Sequence, residues 1–188
     1  MAVITISRQY GSLGNITANA LGQRLGYRVV MRELINQAAR AAGAHEVALA
    51  VIDELGLLGL SPAEQDYQAY IQAVKAVMLE LAEQGNAIIV GRGGQVVWAG
   101  RADVLHVRTV APLELRVARI AERHGISLAA ARAQVKASDR QRRIFLKRFY
   151  DIDANNPLLY DLVINTAHMT AEAACSLICA ALEQERFH

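Results

Sequence analysis

Arg8, Gly11, Ser12, Gly14 and Asn15 lie close together, between a β-branched run, Ala2–Ser7, and a helical pattern that begins near Leu13. A strand, a glycine-containing turn and a helix N-terminus, in that order, make a site for an anion. Glycines let backbone N–H groups approach a phosphate, and the helix end adds partial positive charge. The standard phosphate loop carries Lys and Ser/Thr directly after its last glycine. Counted from the strand end, Gly14 and Asn15 occupy those two places. The chemistry indicated is phosphate binding by backbone amides, in a loop that is either a working variant or a broken one.

Three more stretches carry charge in places where it could act. In Ile88–Gly94 a buried-strand pattern opens through glycines and presents Arg92 at its carboxyl end. That edge of a parallel sheet is where ligands bind, and a guanidinium there either forks onto a phosphate or pairs with a carboxylate. Asp139 opens a basic run holding Arg140, Arg142, Arg143, Lys147 and Arg148. Such a run is either a solvated helix face or a lid that closes Arg onto a transferring phosphoryl group. Nucleic-acid binding is disfavoured, because no aromatic platform or wider basic face accompanies it. Arg32 and Glu33 follow a weak strand and either grip an acceptor or simply start a helix. His106 sits inside a strand pattern and reads as core.

These residues need a scaffold to place them. Apolar runs at Ala2–Ser7, Ala87–Gly91, Val104–Thr109 and Leu159–Asn165, with a weaker one at Tyr27–Val30, predict strands covered on both faces. Helical patterns lie at Leu13–Leu25, Arg32–Ala42, Glu46–Leu55, Pro62–Gln84, Pro112–His124, Ser127–Ser138 or beyond, and Ala171–Glu185. Strands alternating with helices predict an α/β domain in three layers around a parallel sheet of about five strands. The stripe Tyr67, Tyr70, Ile71, Val74, Val77, Met78 and Leu81 recurs at three-four spacing, which suits a core or an interface.

The 188 residues suit one domain, 1–188, with a lid-like segment at about 139–157. Apolar content of 53% excludes a disordered chain, and a net charge of +2 gives no general pull toward nucleic acid or membrane. The most apolar stretch, Val47–Leu60, is broken by Asp53 and Glu54, so no membrane span is expected. With no signal peptide in view, the expected location is the cytoplasm. Cys175 and Cys179 read as packed helix thiols, and no metal site is expected.

Together the stretches resemble the cytidylate kinase-like family, a branch of the nucleoside monophosphate kinases. The resemblance rests on Ile4–Gly14, on Leu25-Gly26-Tyr27 with Arg32–Ile35, on Gly91-Arg92-Gly93, on Asp139 with Arg142, and on Tyr160–Thr166. It implies a P-loop kinase fold and transfer of the γ-phosphoryl group of ATP, with Mg²⁺, to a nucleoside monophosphate such as CMP. It implies that Arg8, Gly11, Ser12, Gly14 and Asn15 hold donor phosphates and that Asn165 and Thr166 lie near the base. Arg32 and Arg92 would hold the acceptor; Arg142, with Arg143 or Arg148, would form the lid beside Asp139. Two positions depart from the pattern: Leu13 stands where relatives often have Gly, and Met31 where they commonly have Asp. The alternatives are a non-catalytic nucleotide- or phosphate-binding protein and a structural homo-oligomer.

Overall fold

The computed structural model describes residues 2–31 and 64–183. Arg32, Glu33 and the helices expected at 32–42 and 46–55 lie outside the described residues. Strands β1 (Val3–Arg8), β2 (Arg28–Val30), β3 (Ala87–Val90), β4 (Val104–Val110) and β5 (Leu162–Asn165) form one sheet in the order β2-β3-β1-β4-β5. Every pairing is parallel. β1 lies at the centre, which is why its apolar run does not alternate: Val3, Ile4 and Ile6 are all fully buried.

One face of the sheet is covered by α1 (Gly14–Leu25) and α6 (Ala171–Leu182), whose Ala18, Leu21, Ala174, Cys175 and Ile178 pack on Ile4, Ile6, Ile88 and Val107. The opposite face receives α2 (Glu64–Glu83). Its Ile71, Val74, Met78 and Leu81 meet Val3, Ile89, Val104 and Trp98. Ile71, Val74, Met78 and Leu81 of the three-four stripe are therefore spent inside the protein. Burial of each such side chain is worth about 1.5–3 kcal/mol. A third cluster joins α4 (Leu113–His124) to α5 (Leu128–Tyr150), with Val117 and Ile120 against Ala131 and Val135.

Three features go beyond the expected ranges or refine them. α5 runs twelve residues past Ser138, capped by Ser127 at its start and ended by Asp151 in a left-handed conformation, φ 51°. β5 starts at Leu162 rather than Leu159, because Asn156 accepts from the Leu158 N–H and Pro157 opens a short 3₁₀ turn, Pro157–Leu159. Asp161 then fixes the strand register: its carboxylate accepts from the His106 N–H at 2.7 Å. Finally, a one-turn helix, α3 (Gly94–Val97), follows β3. Gly91, Arg92 and Gly93 take φ values of 87°, 56° and 75°, and this left-handed run turns the chain back over β1.

Candidate active site

The loop from Gln9 to Leu13 joins β1 to α1 at the carboxyl edge of the sheet. Its shape is set from below. Ser12 is fully buried, and its hydroxyl lies 2.8 Å from the Gln9 carbonyl oxygen, 3.0 Å from that of Thr109 and 2.8 Å from Thr109 Oγ1. Gln9 donates its N–H to the Thr109 carbonyl and accepts from the Ala111 N–H, both at 3.1 Å. Ser12 therefore acts as a fastener, its hydroxyl turned into the protein.

Two arginines of α4 complete the cradle. Arg116, 5% exposed, donates to the carbonyls of Ala111 and Tyr10 and to Asp139 Oδ2 at 2.6 Å. Arg119 donates to the Gly11 carbonyl at 3.4 Å and to Thr166 Oγ1 and O at 3.2 and 2.7 Å. Burial lowers the Arg119 pKa from its ordinary value, since desolvation disfavours the charged form. Asp139 Oδ1 accepts from the Tyr10 N–H at 3.0 Å. The loop is thus tied to β4, α4, α5 and the end of β5 by the protein's own groups, which hold its donors in place.

What the cradle presents is the start of α1. The first bond of the helix runs from the Thr17 N–H to the Leu13 carbonyl at 2.9 Å, with no side-chain cap. The amides of Gly14, Asn15 and Ile16 lie ahead of that bond and need an outside acceptor. Leu13 adopts φ 64°, the left-handed conformation that glycine would take without strain. Leu13 thus keeps the backbone path of a glycine at that position.

Above these amides lies a cavity of about 130 Å³, lined by the loop, the first turn of α1, Met31 and three arginines, Arg8, Arg123 and Arg142. Among the described residues no carboxylate lines it. Three arginines lining a cavity over a helix N-terminus suit a polyanion such as a nucleotide triphosphate.

The structure brings together Arg8, Gly11, Gly14, Asn15 and Arg142 at this cavity. Ser12 and Thr166 lie beneath it, buried; Thr166 Oγ1 reaches the Ser12 carbonyl at 3.2 Å. Asn165 is exposed and accepts from the Ala167 N–H. α5 splits the basic run by its own geometry. Arg142 faces the loop, 3.5 Å from Asp139 and with its guanidinium over the Tyr10 ring, whereas Arg143 and Arg148 are exposed on other faces of the helix. Arg123 is new. Arg116, Arg119 and Arg123 repeat at i, i+3 and i+7, one face of α4, and that spacing was the available signal.

Arg92 occupies a different place. It is 9% exposed, with its guanidinium 5.6 Å from the centre of the Phe145 ring, and its carbonyl accepts from the Tyr150 hydroxyl at 3.1 Å. A side chain at Gly93 would strike the Tyr150 ring at 2.4 Å. A non-glycine residue held at φ 56° costs of order 1–3 kcal/mol, and such strain concentrates at functional sites.

Gly14 gives a direct check of the cavity. A Cβ there would come within 2.6 Å of both Arg8 Cβ and Thr109 Oγ1. Gly14→Val is expected to weaken ATP binding by more than about tenfold, 1.4 kcal/mol, by shifting the loop. Calorimetric titration measures the affinity, and circular dichroism checks that the variant is folded. Unchanged affinity in a folded variant would place the phosphates elsewhere.

A profile of the cytidylate kinase-like family matches residues 3–168. A cytidylate kinase from Ignicoccus hospitalis is 33% identical over 178 residues, covering 95% of this chain and 97% of its own. One from Methanothrix thermoacetophila is 29% identical over 182 residues, covering 96% and 97%. Among solved structures, an uncharacterized protein from Eubacterium ventriosum superposes with a TM-score of 0.80 at 16% identity, covering 98% of this chain and all of that one. Shikimate kinase from Acinetobacter baumannii, in complex with shikimate, gives 0.55 at 15% identity, covering 97% and 93%. At these identities the structural likeness is one of fold, the three-layer α/β arrangement of P-loop kinases.

Proposed function

This chain belongs to the cytidylate kinase-like family, and we propose that it moves the γ-phosphoryl group of ATP to a nucleoside monophosphate of the CMP kind or a related small acceptor. The observation that carries this is the cavity over the first turn of α1, where the amides ahead of the first helical hydrogen bond meet Arg8, Arg123 and Arg142 with no carboxylate among the described residues that line it. Phosphoryl transfer needs little covalent chemistry from a protein. It needs the donor held in line and its developing charge neutralised. Backbone amides and fixed arginines supply both.

In this reading Gly11, Gly14 and Asn15 cradle the donor phosphates, Ser12 holds the cradle's shape, and Asn165 and Thr166 border the base. Mg²⁺ would reach the site on the nucleotide, keeping waters as ligands, because the described lining of the cavity offers it no carboxylate. The acceptor lies toward the end of β3, where Arg92 stands. The domain spans 1–188, and the lid is the segment 139–157, working from the cytoplasm. Among the described residues no helix is long and apolar enough to cross a membrane.

A screen of purified protein over nucleoside monophosphates, with ATP and Mg²⁺, tests the proposal by acceptor-dependent ADP formation. ATP binding without turnover on any acceptor would replace it with a non-catalytic nucleotide-binding role. The acceptor assignment has its own test. Arg92→Ala is expected to weaken acceptor use by about 1.5–3 kcal/mol, the worth of a charge-assisted hydrogen bond, with ATP affinity nearly unchanged. Arg92→Lys should rescue only part of it. An equal loss for both substrates would contradict the assignment.

A further inference from the structure

We propose that Arg8 carries the positive charge that a lysine supplies in the standard phosphate loop, so that this loop is a working variant whose cation has moved from the helix to the end of the strand. The inference rests on the phosphotransferase reading above and names the residue that completes its donor site.

Arg8 is the last residue of β1, is half-buried and lines the cavity. Two observations show where its side chain runs. Its Nε donates to Asn15 Oδ1 at 3.1 Å. Its Nη1 lies 2.4 Å from the position a Cβ on Gly91 would take. The guanidinium is therefore laid between the first turn of α1 and the carboxyl end of β3. Asn15 stands in the place of the metal-binding Ser/Thr of the standard loop, and the position before it is that of the lysine that reaches the β- and γ-phosphates. A fixed cation lies beside both.

Position 14 has no room for a lysine: a Cβ on Gly14 would sit 2.6 Å from both Arg8 Cβ and Thr109 Oγ1, so the cation has to stand elsewhere. Gly91, itself held at φ 87°, leaves the space that Arg8 Nη1 takes up. Arginine suits the role chemically: it stays protonated at any working pH, and its planar fork can meet two phosphate oxygens at once.

The test compares Arg8→Met, which keeps apolar bulk without charge, with Arg8→Lys, which keeps the charge. A third variant, Gly91→Ala, would displace the guanidinium while leaving Arg8 in the chain. The probe is inorganic tripolyphosphate, titrated calorimetrically, alongside ATP turnover and a thermal melt of each variant. Arg8→Met is expected to lose about 10- to 100-fold in tripolyphosphate affinity, the span for one charged contact, with Arg8→Lys recovering part of it. Gly91→Ala should lose affinity in the same direction. The salt dependence of binding should flatten in Arg8→Met, which a packing role would not produce. Wild-type affinity in a folded Arg8→Met would overturn the proposal. If the wild-type protein binds tripolyphosphate through Arg8 but transfers no phosphoryl group, the kinase reading fails and the role of Arg8 in phosphate binding stands. If it binds no tripolyphosphate, the role of Arg8 falls, and ATP turnover alone decides the kinase reading.

Discussion

Arg142→Ala is expected to slow phosphoryl transfer by about 10³–10⁵-fold, the range measured when an arginine that meets the transferring group is removed. The side chain is already aimed. Asp139 lies 3.5 Å from its Nη1, three residues earlier on α5, and the Tyr10 ring lies under the guanidinium with 5.9 Å between Cζ and the ring centre. Both neighbours belong to the cradle, so the charge sits at the cavity without waiting for a large closure. Part of the loss should then appear in ATP binding, by up to about tenfold, and the rest in turnover. Steady-state ADP formation and ATP titration separate the two. Arg143→Ala and Arg148→Ala give the comparison, because those side chains are exposed and do not line the cavity; each should cost less. If Arg142→Ala lowered turnover by less than about tenfold, 1.4 kcal/mol, its guanidinium would be a fastener of the loop and not a participant.

The parallel sheet was readable because its strands are buried on both faces. Runs as short as Val3–Ile6 and Ala87–Val90, rich in β-branched residues and bounded by turn signals, suit a strand with no solvent face. The phosphate cradle was readable from order alone, strand then glycine then helix. What could not be read was direction. Arg142, Arg143 and Arg148 are equivalent in residue type; the resemblance paired Arg142 with Asp139, and the helical rotation of α5 past the loop is what puts Arg142 at the cavity. Ser12 looked like a phosphate ligand by position, yet its hydroxyl is drawn inward by Thr109, ninety-seven positions away in the chain. Arg116 and Arg119 escaped notice for a similar reason: among their partners are carbonyls of a distant loop, and nothing local marks those contacts. The helix α3 needs three successive left-handed residues, one of them Arg92, a conformation that sequence gives little reason to expect for an arginine. Non-local hydrogen bonds and backbone strain are the parts of this site that a linear reading leaves out.

Asp139→Ala is expected to cost about 3 kcal/mol of folding stability, the lower end of the loss when a buried ion pair is broken, because Asp139 keeps 27% of its side chain exposed. Its partner Arg116 is 6% exposed by side chain and would be left with carbonyl acceptors only, those of Ala111 and Tyr10. The melting temperature should fall by about 6–12 °C for a chain of this length. The same change removes the acceptor of the Tyr10 N–H, so the loop loses its tie to α5 and ATP affinity should fall with stability. Asp139→Asn divides these effects. Its amide oxygen can still accept from Tyr10, so binding should suffer less, while the charge opposite Arg116 is gone and the stability loss should largely remain. A double-mutant cycle supplies the decisive arm. In an Arg116→Met background the buried cation is absent, and Asp139→Ala should then cost at least about 1 kcal/mol less than it does alone. Additive losses would show that Asp139 stabilises the protein through Tyr10 and the end of α5, and that its pairing with Arg116 contributes nothing of its own.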